Sequence, residues 1–170
     1  MKPLKIHLGC GKNYRDGWCN VDCVKTVRAD VYHDLEQRPW PFQDSSVEYI
    51  EMYAVLEHLT DTLATLGEIH RILQPGGLMH IHVPYACSVW AFQDPTHRRY
   101  FTERTLDYVK EGFDYNFYTG IRFNIIKAEL TTGTNSFTAR LRNLIPFRKV
   151  LRWFLWNMYD GVDYILQKPE

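Results

Sequence analysis

A chain of 170 residues, 45% hydrophobic and 24% charged, has the length of one ordinary domain and enough apolar side chains to bury one core. Its 20 basic residues balance 20 acidic ones, so no global field recruits a polyanion, and nucleic acid is disfavoured as a partner. No apolar run reaches the roughly 18 residues that a membrane span needs.

The first predicted strand, Leu4 to Leu8, stops at the turn Gly9-Cys10-Gly11. Further strands are predicted at Cys19–Asp22, Ala29–His33, Val47–Tyr53, Leu78–Pro84, Arg122–Thr131 and Val162–Gln167. They are apolar enough to predict burial on both faces, in a parallel sheet covered by helices. The clearest helix is TDTLATLGEIHRIL, where Leu63, Leu66, Ile69 and Leu73 recur at helical spacing before the glycines of QPGG. A second helix is predicted from Thr102 to Gly112 and a third from Pro146 through Tyr159. No repeat or linker divides the chain, so residues 1–170 read as one domain.

Cys10, Cys19, Cys23 and Cys87 form no pair of clusters that would complete a zinc site, so reduced thiols and no metal are expected. The opening MKPLKIHLG has neither the apolar segment nor the cleavage site of a secretory signal, which points to the cytoplasm.

The glycine turn after a strand lets a ligand approach the main chain, and Asp22, at the tip of the next strand, can accept hydrogen bonds from a ribose. A dinucleotide site wants a third glycine, and Asn13 stands near that place. A nicotinamide-dependent oxidoreductase is therefore poorly supported. A ligand with a ribose but no pyrophosphate fits better. Asp34 and Leu35, after the third strand, could read an adenine edge.

In order along the chain, HLGCG, PWPFQDSSVEYI, VLEHL, EIHRILQPGG and DPTHRRYFTERTL resemble the class I S-adenosylmethionine-dependent methyltransferases, in particular the small methyltransferase type 11 branch. The resemblance implies a Rossmann-like α/β fold, with a seven-stranded, mostly parallel sheet and an antiparallel last strand. It also implies S-adenosylmethionine as cofactor, leaving as S-adenosylhomocysteine. The methionine part would lie on Gly9, Cys10 and Gly11, the ribose on Asp22, the adenine between Asp34 and Leu35, and the sulfonium side under Tyr53 and Ala54. His7 departs from the Asp usual in relatives.

Methyl transfer to a hydroxyl requires the acceptor's proton to leave, and a neutral imidazole suits that task near pH 7. His97, in the loop FQDPTHRRYF, is the leading base and His58 the second candidate, with Asp94, Arg98 and Arg99 as candidate substrate contacts. The other histidines, His82 among them, read as structural. With the first strand starting at residue 4, the acceptor's lid must come from elsewhere, and segments 85–120 and 133–160 are the candidates.

The second of these carries Arg140, Arg142, Arg148, Lys149 and Arg152, with Leu144, Phe147, Leu151, Phe154 and Met158 at helical spacing. That pattern predicts a helix packed on the body. The alternatives are a basic amphipathic helix peripheral to an anionic membrane, or a protein contact, through 140–159. The resulting expectation is O-methylation of a sugar, glycoconjugate or other small-molecule hydroxyl. The competing one is a non-catalytic cofactor-binding scaffold that supports a partner enzyme.

Overall fold

The computed structural model describes residues 4–133 and 137–170. Seven strands form one sheet: β1 Leu4–Leu8, β2 Cys19–Asp22, β3 Val31–Tyr32, β4 Val47–Tyr53, β5 Leu73–Pro84, β6 Asn124–Thr131 and β7 Gly161–Gln167. Their spatial order is β3-β2-β1-β4-β5-β7-β6, parallel from β3 through β5, with β7 antiparallel to both neighbours. β1, β2 and β4 occupy the predicted residues. β3 is shorter, with only Val31 and Tyr32 in register with β2, and it is flanked by the Asp30 amide on Asn20 O (2.8 Å) and the Asp30 carboxylate on the Asn20 amide and side chain. β5 starts earlier, since Leu73 already pairs with Val47 and the register shift before Tyr49 absorbs Gly76 and Gly77.

Helix α1, Thr62–Ile72, forms where the apolar period predicts it. The Asp61 side chain caps it by accepting the Ala64 amide, His70 and Arg71 sit in the last turn where the helix dipole favours cations, and Leu66, Ile69 and Ile72 are buried. The other two predicted helices are corrected. Around Thr102–Gly112 the chain makes 3-10 turns over Thr105–Val109, which suit the three-residue spacing of buried Leu106 and Val109. The Pro146–Tyr159 helix shrinks to the single turn α3, Arg148–Leu151, and a separate short helix, α2 Phe137–Asn143, precedes it. Phe147, left-handed at φ 54°, separates them, and a bulky residue in that conformation cannot continue a helix.

Burial on both faces is also corrected. One face is apolar throughout, with Ile50, Met52, Met79, Ile81, Val83, Val162, Tyr164 and Leu166 in a single core with α1. The opposite face alternates with it and carries Glu51, Tyr53, His80, His82 and Asp163, half-buried or exposed. Only part of it is covered: Arg15 pairs with Glu51, and Trp18 meets Tyr49 edge-on at 5.6 Å. Among the described residues no helix is long and apolar enough to cross a membrane.

Candidate functional site

The turn after β1 and the tip of β2 lock together. Gly9 and Gly11 take φ of +63° and +50°, and a Cβ on Gly9 would lie 2.3 Å from Val55 Cγ2. The Cys10 amide donates to Val21 O (3.0 Å) and the Gly11 amide to Asp22 Oδ2 (2.8 Å). Asp22 Oδ1 accepts the Val24 amide at 2.9 Å, so each carboxylate oxygen keeps lone-pair capacity for a further donor. Nothing lies within 4 Å of the position a Cβ on Gly11 would take, which leaves the backbone there open to a ligand. Further along the same rim, Asp34 makes an Asx turn to the Glu36 amide (3.0 Å), and buried Leu35 accepts the indole N–H of Trp40 (3.1 Å) through its carbonyl.

β4 ends at Tyr53, and Ala54, at φ 53°, turns the chain away while its amide donates to His82 O. Both residues line a cavity of about 910 Å³ at the ends of β4, β5, β7 and β6. Val89 and Trp90 wall it from the connection after β5, and Thr132, Arg142, Asn157 and Asp160 from the excursion between β6 and β7. The two walls are tied by Trp90 Nε1 to Asp160 Oδ1 (3.2 Å) and by the Val89 amide to Asn157 Oδ1 (3.2 Å). Inside, His82 stacks on Tyr53 at 4.3 Å and its Nδ1 lies 2.7 Å from Asp163 Oδ1. His80 Nε2 is 3.5 Å from the same oxygen. Burial alone would raise the Asp163 pKa, but the bonds from His80 and His82 and their charges outweigh it and hold the group well below the usual carboxylate range.

A second cluster follows Ala54. Glu57, in the 3-10 turn Leu56–His58, is almost completely buried, and neither carboxylate oxygen has a hydrogen-bond partner. Burial pushes its pKa up to about 7, with its own amide and the His97 and His82 imidazoles offsetting part of that cost. His97 Nε2 faces Glu57 Oε1 at 3.9 Å while its Nδ1 meets Ala91 O at 3.0 Å. His58 packs edge-on against His97 at 4.8 Å, and burial lowers its pKa, helped by the nearby His97 charge. Asp94 braces the loop through the Thr96 amide and hydroxyl. Arg99 donates to Thr60 O, and Arg98 points outward, 3.8 Å from Glu36.

The structure thus groups Gly9, Cys10, Gly11 and Asp22 on one rim and Tyr53 and Ala54 on the cavity beside it. His58, Asp94, His97, Arg98 and Arg99 do not line that cavity. The imidazoles that do are His80 and His82. The available signal was the alternation in HIHVP, which puts both on the face opposite Ile81 and Val83; Asp163 faces them only through the β5–β7 pairing.

The family described as "Methyltransferase domain" matches residues 10–81. No curated protein matches. An S-adenosylmethionine-dependent methyltransferase from Archaeoglobus fulgidus superposes with a TM-score of 0.68 at 17% identity, covering 98% of this chain and 86% of that one. The putative methyltransferase in complex with the Trm112 methyltransferase activator of Haloferax volcanii gives 0.67 at 16%, covering 99% and 83%. A putative methyltransferase from Bacillus halodurans gives 0.64 at 13%, covering 98% and 92%. At these identities the likeness is one of fold. With the match over residues 10–81 and the strand order β3-β2-β1-β4-β5-β7-β6, the chain is similar to a methyltransferase domain and has the fold of the class I S-adenosylmethionine-dependent methyltransferases.

Proposed function

We propose that the enzyme methylates a hydroxyl of a sugar or glycoconjugate held in the 910 Å³ cavity, with His82 as general base and Asp163 as its positioning carboxylate. One observation carries this reading: a single cavity contains Tyr53 and Ala54, beside the glycine rim, and an imidazole tied to a carboxylate. The open space over Gly11 and the spare lone pairs of Asp22 suit the methionine and ribose parts of the cofactor, with Asp34 and Leu35 flanking the adenine. Bound there, S-adenosylmethionine supplies a methyl group whose bond to sulfur breaks as its bond to the acceptor oxygen forms, the electron pair staying on sulfur.

The protein's part is alignment, exclusion of water and removal of one proton. With Nδ1–H donated to Asp163, His82 keeps its lone pair on Nε2, which receives the hydroxyl proton. Nε2 lies 2.8 Å from where a Cβ on residue 161 would be, so Gly161 makes room for this ring. Trp90 and Tyr53 offer faces to the apolar side of a sugar, and Thr131, Thr132 and Asn157 offer partners for its hydroxyls. Val89 and Trp90 from the first candidate lid segment and Thr138, Arg142, Asn157 and Asp160 from the second serve as the cavity's walls.

His82→Gln lowers kcat about a hundredfold or more on a panel of saccharide acceptors and leaves the affinity for S-adenosylhomocysteine unchanged in calorimetry. A rate within about threefold of the parent returns the base to another group. We further read the excursion as a face for a protein partner. Its large apolar side chains Phe147, Trp153 and Phe154 are exposed, whereas Arg142 pairs with Asp160, Arg152 pairs with Glu103 and Arg148 lies over the Tyr159 ring. The protein of similar fold from Haloferax volcanii is in complex with an activator, which supports a protein partner for this chain without bearing on the face it uses.

A further inference from the structure

The methyl-transfer reading makes no use of the buried cluster behind Ala54. Glu57, His58 and His97 each present one possible ligand atom, all within 4.8 Å of one another. Three features set the cluster apart from ordinary packing. Glu57 is 1% exposed and both its oxygens lack hydrogen-bond partners, which for an ionised carboxylate is costly unless a cation lies beside it. Both imidazoles are held at Nδ1: His97 Nδ1 contacts the Ala91 carbonyl while its Nε2 faces Glu57, and His58 Nδ1 lies 2.9 Å from Thr96 Oγ1, whose own proton goes to Asp94 Oδ1 at 2.6 Å. The only tautomer that suits these contacts keeps the proton on Nδ1 and the lone pair on Nε2, the arrangement that metal-binding histidines use. Finally, a second carboxylate stands at the edge, with Asp94 Oδ2 4.0 Å from His97 Nε2.

We propose that Glu57, His58 and His97 form a binding site for a divalent transition-metal cation, with Asp94 or water as the fourth ligand. One carboxylate and two imidazoles suit zinc best and exclude magnesium or calcium, which prefer all-oxygen sites. Tetrahedral zinc places neighbouring ligand atoms about 3.3 Å apart, as follows from bonds of about 2.0–2.1 Å. The cluster therefore contracts on binding, by up to about 1.5 Å from the 4.8 Å within which its ligand atoms lie. A cation here pins the turn Leu56–His58 to the loop of Asp94–Arg99, which already meet through the Arg98 and Arg99 amides on Glu57 O (2.8 and 3.1 Å). That junction lies immediately beyond Ala54 on the cavity rim, so the metal would fix the floor against which the sulfonium side rests.

The test is metal binding by the chelator-treated full chain, without cofactor or acceptor, so its failure and failure of the methyl-transfer reading are separate results. Titrated with Co²⁺, the parent takes up one equivalent in calorimetry, develops the visible bands of low-coordinate cobalt, releases it to Zn²⁺ and gains thermal stability. Glu57→Gln and His97→Ala each weaken binding at least tenfold, and the milder Thr96→Val, which only removes the partner of His58 Nδ1, weakens it by about 10–100-fold. His82→Gln, in the neighbouring cavity, binds as the parent does. Absence of saturable binding in the parent overturns the proposal. So does a Thr96→Val and His97→Ala pair that binds like the parent, or a signal that disappears with His82→Gln instead.

Discussion

Gly9 carries two constraints at once. Its φ of +63° disfavours any side chain, and a Cβ would meet Val55 Cγ2 at 2.3 Å. Gly9→Ala therefore costs about 1–3 kcal/mol in urea unfolding, in the range of overpacking. Adding Val55→Ala recovers part of that loss, because the two changes share one contact. Gly11 has a similar φ of +50° but open space around it. Gly11→Ala should cost only about 1 kcal/mol of stability, the strain of the left-handed conformation. It should weaken S-adenosylhomocysteine binding by much more in calorimetry, because the methyl group fills the ligand's approach. Equal losses at both positions, or parent-like binding by Gly11→Ala, would remove the cofactor from this turn.

At the level of elements, the β5–β7 pairing brings Asp163 against His80 and His82. The Asp163 pKa is depressed in the folded state, despite burial that acts the other way. A depressed carboxylate contributes stability that is fully present above its unfolded value of about 3.9 and is lost as pH falls through the folded one. The urea midpoint of Asp163→Asn should thus lie below the parent's at pH 6, with the gap narrowing once the pH drops below about 4. A gap equally wide at pH 3 would show that the carboxylate is not ionised in this pair. The same element explains why HIH reads as a structural strand in the sequence: the acid that bonds His82 comes from β7, through a pairing the stretch itself does not contain.

For the whole molecule, the excursion between β6 and β7 defies its own periodicity. Leu144, Phe147 and Phe154 recur as a buried stripe would, yet they are 78%, 82% and 81% exposed, while Leu151 and Met158 pack inward. A regular helix would have gathered all five on one side. The left-handed Phe147 divides the segment and sends its aromatics outward. With Arg142, Arg148 and Arg152 engaged internally, little basic surface remains for an anionic bilayer. Vesicles containing phosphatidylserine should therefore pull down no more protein than neutral ones. Replacing Phe147, Trp153 and Phe154 by Ser should lower self-association at high concentration in light scattering and leave cofactor binding intact. Preferential sedimentation with anionic vesicles would restore the membrane reading.

Local composition alone determined most of the strands, helix α1 and the glycine rim, because apolar runs, a cap and a glycine turn act over a few residues. Asp22 could be placed there too, since the short link from β1 leaves its strand one neighbouring position. Tertiary structure decided which face of the sheet is left polar, that His82 rather than His97 enters the cavity, and that Glu57 is stranded between two imidazoles. Each of those depends on strand order and on two crossovers folding back over the sheet. A residue's neighbours across a ladder are set by pairing energies distributed over the whole fold, which no single stretch of sequence contains.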